Sequence, residues 1–96
     1  MRYLDLQGNS VNYLSVGPLS DFLKITETLE YVNLTQCNLR GKIAEQIIDA
    51  IMLNKSLQYL DIASNHLTSP RYTIAAKLGR LLQGHPGLLH VNCAHN

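Results

Sequence analysis

The chain has 96 residues, of which 46% are apolar and 16% are charged, and its formal net charge is +1. This near-neutral balance excludes the strongly basic surface that binding to nucleic acid or to an anionic membrane requires, so neither is an expected partner. No apolar run is long enough to cross a bilayer, and the N-terminal segment lacks the apolar core of a signal peptide. We therefore expect a globular, intracellular protein of the cytoplasm.

A short apolar motif occurs four times along the chain. Each copy has apolar residues at its first, fourth and sixth positions and Asn or Cys at its ninth. The copies are MRYLDLQGN, LEYVNLTQC, LQYLDIASN and LLHVNCAHN, which begin at Met1, Leu29, Leu57 and Leu88. Successive copies are separated by 28, 28 and 31 residues. A repeat of this length predicts a solenoid, in which neighbouring units bury one continuous core.

Each copy contains a strand pattern. In the second copy, Val32 and Leu34 alternate with Tyr31, Asn33 and Thr35. Alternation with a period of two predicts a half-buried strand. Because each strand lies one repeat after the previous one, the four strands must run parallel, and parallel strands need long crossovers that are usually helices.

The segments between the strands have helical patterns. Apolar residues spaced by four predict a buried face on each helix, and these residues are Leu19 and Leu23, then Ile43, Ile47 and Ile51, then Ile74, Leu78 and Leu82. Ser15 has the equivalent first position and is expected to precede its helix. The expected helices are 18–26, 42–53 and 70–83, with Pro18 and Pro70 in their first turns and Gly84 at the end of the third. The three additional residues of the third repeat are expected in a longer loop at 66–71.

The pattern L-x-x-L-x-L-x-x-N/C-x-L resembles the leucine-rich repeat, and Val11, Leu39 and Leu67 have its last apolar position. The 28-residue step with a full helix in each unit resembles the ribonuclease-inhibitor-like class. The resemblance implies an α/β solenoid forming a horseshoe segment, with parallel strands on the concave side and helices on the convex side.

The same resemblance divides the chain into repeats 1–28, 29–56 and 57–87 and a partial repeat 88–96. Met1 and Asn96 already have positions within a repeat, whereas solenoids usually carry capping units. We therefore expect part of a longer solenoid or of a multi-subunit assembly.

The ninth motif position has a mechanical role in such folds. Its side chains are expected to point inward and to satisfy backbone groups where the chain leaves the strand; they are Asn9, Cys37, Asn65 and Asn96. A buried backbone group left unpaired would cost about 1–3 kcal/mol. Cys37 and Cys93 are both expected to be small buried hydrophobes. Two strand steps separate them by about 10 Å, which is too far for a disulfide.

The outward strand positions predict a binding surface. The first row is Tyr3, Tyr31, Tyr59 and His90; the second is Asp5, Asn33, Asp61 and Asn92; the third is Gln7, Thr35, Ala63 and Ala94. Tyrosine rings supply rigid contact area, and Asp and Asn supply acceptors for Lys or Arg. We therefore predict a non-enzymatic protein–protein interaction or scaffold module that binds another protein through the first two rows. The alternative at each tyrosine is that it stabilises the sheet without binding anything.

No catalytic or metal-binding motif is present in the sequence. His85, His90 and His95 are five residues apart, a spacing that fits neither a helical pair of ligands nor a zinc finger. Phosphate-binding glycine loops and nucleophile elbows are also missing, so we expect neither a cofactor nor a metal. Two alternatives remain open. One is a regulatory module that acts on a GTPase through Arg40 or Arg71, as the resemblance to Ran-type activators implies; the other is a purely structural solenoid segment.

Overall fold

Strands and helices alternate along the whole chain. The computed structural model describes residues 1–67, 74–85, 87–88 and 90–96, apart from the side chain of residue 75. The elements in order are β1 (Tyr3–Asp5), α1 (Val16–Ile25), β2 (Tyr31–Asn33), α2 (Gly41–Leu53), β3 (Tyr59–Asp61), α3 (Ile74–Gly84) and β4 (His90–Asn92).

The strands form one parallel sheet in the order β1-β2-β3-β4. Tyr31 pairs with Tyr3 on one side and Tyr59 on the other, and Tyr59 pairs with His90. The register therefore follows the repeat of the sequence. The predicted α/β leucine-rich-repeat solenoid, with its strands on the concave side and its helices on the convex side, is confirmed.

The apolar core fills the space between the sheet and the helices. Leu34 and Leu60 are fully buried beneath the sheet, and Ile47 and Ile51 of α2 meet them from the other side. Burying one such side chain stabilises a fold by about 1.5–3 kcal/mol. Because α2 packs against both α1 and α3, its buried face is wide and also includes Ile48.

The inner face of α3 differs from the prediction. Ile74 is buried and Leu78 packs against the core, but Leu82 is 58% exposed and Leu81 is buried instead. An α-helix has 3.6 residues per turn, so a spacing of four drifts away from one face after two steps. The seventh residue after Ile74 therefore faces the core, whereas the eighth has rotated into solvent.

The helix bounds agree with the predictions to within about two residues, where the structure describes them. α1 begins at Val16 rather than at residue 18, and Ser15 flanks it as predicted. α2 begins one residue earlier than predicted, and α3 ends at Gly84. The predicted start of α3 at residue 70, and residues 68–71 of the predicted long loop, lie outside the described residues.

Of the two cysteines, Cys37 is buried as predicted, whereas the prediction for Cys93 was wrong. Both thiols are free, and Cys93 is exposed. Cys93 follows β4, which pairs with a strand on one side only, so nothing in the described structure covers it.

Candidate protein-interaction surface

The four rings predicted for the concave face form a continuous row, in which the first pair is stacked and the other two pairs are tilted. We call it the aromatic row: Tyr3, Tyr31, Tyr59 and His90. Ring centroids are 4.4 Å apart between Tyr3 and Tyr31, 6.1 Å between Tyr31 and Tyr59, and 5.8 Å between Tyr59 and His90. The parallel register sets these distances, because paired residues on neighbouring strands lie just under 5 Å apart. Tyr3 and Tyr59 remain 55% and 43% exposed. The row therefore presents large aromatic surface to solvent.

The second predicted row has a structural role that the sequence analysis missed. The side-chain oxygens of Asp5 and Asn33 each accept the backbone N–H two residues later at 3.0 Å, and that of Asn92 does so at 3.2 Å. Asp and Asn commonly make such turns with their own backbone. The sequence could have indicated this role, because Asp or Asn recurs immediately before the chain leaves each strand.

Asn33 is a poor candidate for partner contact, contrary to the prediction. It is only 9% exposed, and its amide donates a hydrogen bond to Oε1 of Gln7 at 3.1 Å. The third predicted row is also interrupted, because Ala63 is only 7% exposed. The accessible part of the concave face therefore includes the aromatic row, Asp5, Asp61 and Asn92, with Gln7 and Ala94 exposed at the two edges of the third row.

Asp61 connects the two rows at the centre of the surface. Its carboxylate accepts a hydrogen bond from the hydroxyl of Tyr31. This hydrogen bond, assisted by partial burial, raises the pKa of Tyr31 well above its ordinary value, because a phenolate would lie against the carboxylate. The same bond fixes the ring of Tyr31. The outward strand positions hold two carboxylates, Asp5 and Asp61, and no Lys or Arg.

The ninth motif position acts as predicted in the interior of the sheet. Asn65 accepts the N–H groups of Cys37 and Leu39 at 3.0 Å, and its own amide donates to three carbonyls, the nearest at 2.9 Å. Asn96 repeats this arrangement one strand further on. Cys37 donates its thiol to the carbonyl of Leu6 at 3.0 Å, and burial raises its pKa. These residues support the surface and do not form part of it.

Only one of the two arginines proposed for a GTPase-directed role belongs to the residues that the structure describes. Arg40 is exposed at the start of α2. Arg71 lies outside the described residues. That alternative therefore stays a prediction.

Neither a membrane span nor a metal cluster is found within the residues that the structure describes. No helix there combines the length and the apolar character needed to cross a bilayer. No group of three His, Cys, Asp or Glu side chains there could hold a metal ion.

The fold and the surface define a parallel α/β solenoid, and comparison with known proteins shows what this solenoid resembles. Residues 53–70 match the model of the Leucine Rich repeat family. Over 82 residues the chain is 28% identical to the Homo sapiens protein "NACHT, LRR and PYD domains-containing protein 5", an alignment covering 84% of this chain and 7% of that protein. These matches support a leucine-rich repeat protein.

A solved structure shows the same fold. The structure of "Leiomodin-1 Actin-Binding Site 2 (ABS2)" superposes with a TM-score of 0.76 at 16% identity. The match covers 96% of this chain and 53% of that one. Repeat solenoids of this kind typically provide extended surfaces for binding other proteins.

Proposed function

We propose that the chain is a non-enzymatic protein-interaction or scaffold module that binds a protein partner on its concave face. The observation that carries this proposal is the unbroken aromatic row across all four strands. Rings that only stabilised the sheet would stabilise it more if other side chains of the protein covered them. Tyr3 and Tyr59 instead keep about half of their surface in solvent. Exposed tyrosines held in fixed positions lose little conformational entropy when a partner binds.

The charge beside the aromatic row favours a partner that presents Lys or Arg. Asp5 and Asp61 flank the rings, and the outward strand positions supply no basic side chain to neutralise them. A guanidinium group can stack on a tyrosine ring while it donates hydrogen bonds to a neighbouring carboxylate. Tyr59 beside Asp61 provides this combination at the centre of the face.

The structural neighbour supports a binding role for the fold. Its name identifies it as an actin-binding site of leiomodin, so this fold can serve contact with another protein there. The identity of 16% shows the fold alone.

Site-specific crosslinking is the direct test of the concave face. A photoreactive phenylalanine analogue is introduced at Tyr59 or, as a control at a more exposed position away from the concave face, at Ile25 at the end of α1; these residues are 43% and 76% exposed. Both variants are irradiated in an extract of the native source, and the crosslinked proteins are identified by mass spectrometry. We expect a discrete product from position 59 that is missing from position 25.

Alanine variants then measure how much the rings contribute. Tyr3→Ala and Tyr59→Ala should each weaken capture of the crosslinked partner by about five- to thirtyfold, which corresponds to about 1–2 kcal/mol at an aromatic contact. Their far-UV circular dichroism should match that of the unmodified chain, since both side chains are exposed. Undiminished capture by the double variant would exclude the concave face as the binding surface.

We also propose the repeat division 1–28, 29–56, 57–87 and 88–96, because the strand pairs follow these offsets.

A cytoplasmic location is proposed on the free, exposed thiol of Cys93, which a reducing compartment would preserve. Fractionation of cells that express the chain, with alkylation of free thiols before lysis, tests this location.

A further inference from the structure

We propose that this chain has a second interaction surface, a basic cavity at the N-terminal end of α2, which binds an acidic segment of a protein partner. The cavity has a volume of about 670 Å³. Its basic side chains are Arg40, Lys42 and His66, and no Asp or Glu lines it among the residues that the structure describes. The cavity lies at the loops that follow the strands, not on the concave face, so it does not depend on the function proposed for the aromatic row.

The solenoid brings these basic groups together from separate loops. The N–H of Val11 donates to the carbonyl of Cys37 at 2.9 Å, and the N–H of His66 donates to the carbonyl of Leu39 at 2.9 Å. Arg40 and His66 also form a parallel backbone bridge. The chain segments after β1, β2 and β3 therefore lie side by side, which places His66 next to Arg40 although many residues separate them in the sequence.

The positive charge of the cavity has no acidic partner in the described structure. The ion pairs there are Arg2–Glu30, Lys24–Asp21 and Lys77–Asp49. Neither Arg40 nor Lys42 belongs to any of them. Glu45, one turn after Lys42 on α2, is not within ion-pairing distance of it. An anion that entered the cavity could therefore pair with Arg40 and Lys42 without breaking an existing ion pair.

The start of α2 adds to this imbalance. α2 has no side-chain cap and no acidic residue in its first turn, where Lys42 lies. Helix N-termini carry partial positive charge and favour acidic side chains, so a lysine there is locally unfavourable. α1 likewise has no side-chain cap and no acidic residue in its first turn, but it has no lysine there, and the carboxamide oxygen of Asn12 accepts the N–H groups of Leu14 and Ser15 just before it. Conflicts of this kind tend to occur at functional sites, and a bound carboxylate would relieve this one.

The shape of the cavity favours a peptide segment over a single small ion. Its volume far exceeds the roughly 30 Å³ that one water molecule takes up in the liquid. Ser10, Tyr13 and Asn38 contribute further polar groups to the lining. Tyr13 is 79% exposed and Leu14 beside it is 89% exposed, so an apolar rim adjoins the basic groups. A partner segment with Asp or Glu side chains and a neighbouring apolar residue matches these features.

Fluorescence anisotropy with synthetic peptides tests the proposal on the intact chain. The probe is a labelled peptide of Glu and Gly with one Leu, and the matched peptide has Gln in place of every Glu. We expect the Glu peptide to bind, with an affinity that falls as salt is added, and the Gln peptide to bind at least tenfold more weakly. Arg40→Gln and Lys42→Gln should each weaken binding about two- to fivefold, and the double variant about tenfold.

A charge-matched control separates the cavity from a general effect of net charge. The double variant Lys24→Gln with Lys55→Gln also removes two positive charges, but at the opposite end of the helices. Lys24 lies in the last turn of α1, and Lys55 lies two residues after α2, which is about 20 Å long. This control and Tyr59→Ala should bind the Glu peptide as the unmodified chain does. Because Tyr59→Ala tests only the concave face, failure of one proposal leaves the other distinguishable.

Three results would overturn the proposal. The first is equal binding of the Glu and Gln peptides, and the second is an equal loss of affinity in the two double variants. The third is a strong preference for a phosphoserine peptide with no measurable binding of the Glu peptide, which would indicate a phosphate site instead. Amide NMR shifts provide a test without substitution: the Glu peptide should shift the resonances of Arg40, Lys42 and His66 and leave that of Lys55 unchanged.

Discussion

Replacing Asn65 by Ala gives a sharp test of how neighbouring turns of the solenoid are joined. Asn65 is 3% exposed, and its side-chain oxygen is the acceptor for the N–H groups of Cys37 and Leu39. Alanine cannot accept either bond, and both donors are buried. Each unpaired buried donor costs about 1–3 kcal/mol, so the two together predict a loss of about 3 kcal/mol in the free energy of unfolding. For a chain of this size that is a large share of a total near 5–15 kcal/mol.

Urea denaturation followed by circular dichroism measures this loss. The denaturation midpoint should fall with little change in the slope, since the surface exposed on unfolding stays similar. Asn9→Ala is the matched control, because Asn9 has the same motif position, is exposed and makes a single side-chain bond to the carbonyl of Leu6 at 3.2 Å. We expect it to cost less than about 0.5 kcal/mol.

The variant Asn65→Cys distinguishes the loss of hydrogen bonds at this position from the loss of side-chain volume. Cys37 has the equivalent position one strand earlier, and its thiol donates to the carbonyl of Leu6. A thiol is a weak hydrogen-bonding group, so Asn65→Cys should lose about half as much stability as Asn65→Ala. The explanation would be refuted if Asn65→Ala cost no more than Asn9→Ala, or if the cysteine variant were the less stable of the two.

Three further predictions concern the rest of the molecule. Asn54→Ala removes a 2% exposed amide that donates to the carbonyls of Leu23 and Thr26 at the C-terminal end of α1, and should cost about 2 kcal/mol in urea denaturation; a loss under about 0.5 kcal/mol would contradict this role. Ile47→Ala empties the centre of the core and should cost about 3 kcal/mol, seen as a lower Tm than that of exposed-site variants; an unchanged Tm would argue against the packing described. Because the pKa of Tyr31 is raised in the folded state, the stability that it contributes is complete below the ordinary tyrosine value of about 10 and is lost as the pH rises through the folded value. Absorbance titration should show one late-ionising tyrosine that Tyr31→Phe removes and Asp61→Asn shifts to lower pH; an unchanged titration in Asp61→Asn would rule out the hydrogen bond.

The repeat made the strands and their register predictable. Once four copies of the motif are aligned, the pairing of Tyr31 with Tyr3 and with Tyr59 follows from parallel winding, and the row of neighbouring rings follows from the pairing. Asn65 was predictable for the same reason, because its position recurs in every copy. The periodicity of the sequence was therefore sufficient to predict both the fold and the main features of the concave face.

Features that depend on a single repeat were not predictable in this way. Leu82 fits a spacing of four, but helix rotation accumulates over two turns and moves it into solvent. Asn54 has no Asn at the equivalent positions of the other repeats, where Thr26 and His85 stand, and its acceptors belong to the preceding turn of the solenoid. The basic cavity is similarly hidden, because Lys42 alone resembles an ordinary solvent-exposed charge.

The pairing of β3 with β4 has a consequence for how such chains can change in length. Tyr59 and His90 are partners although 31 residues separate them, whereas the other aromatic neighbours are 28 residues apart. One turn of the solenoid can therefore contain more residues between its strands, while backbone hydrogen bonds keep the spacing of the strands on the inner side fixed. Insertions and deletions on the outside would leave the spacing of the rings untouched, so the two sides of the molecule are free to diverge independently.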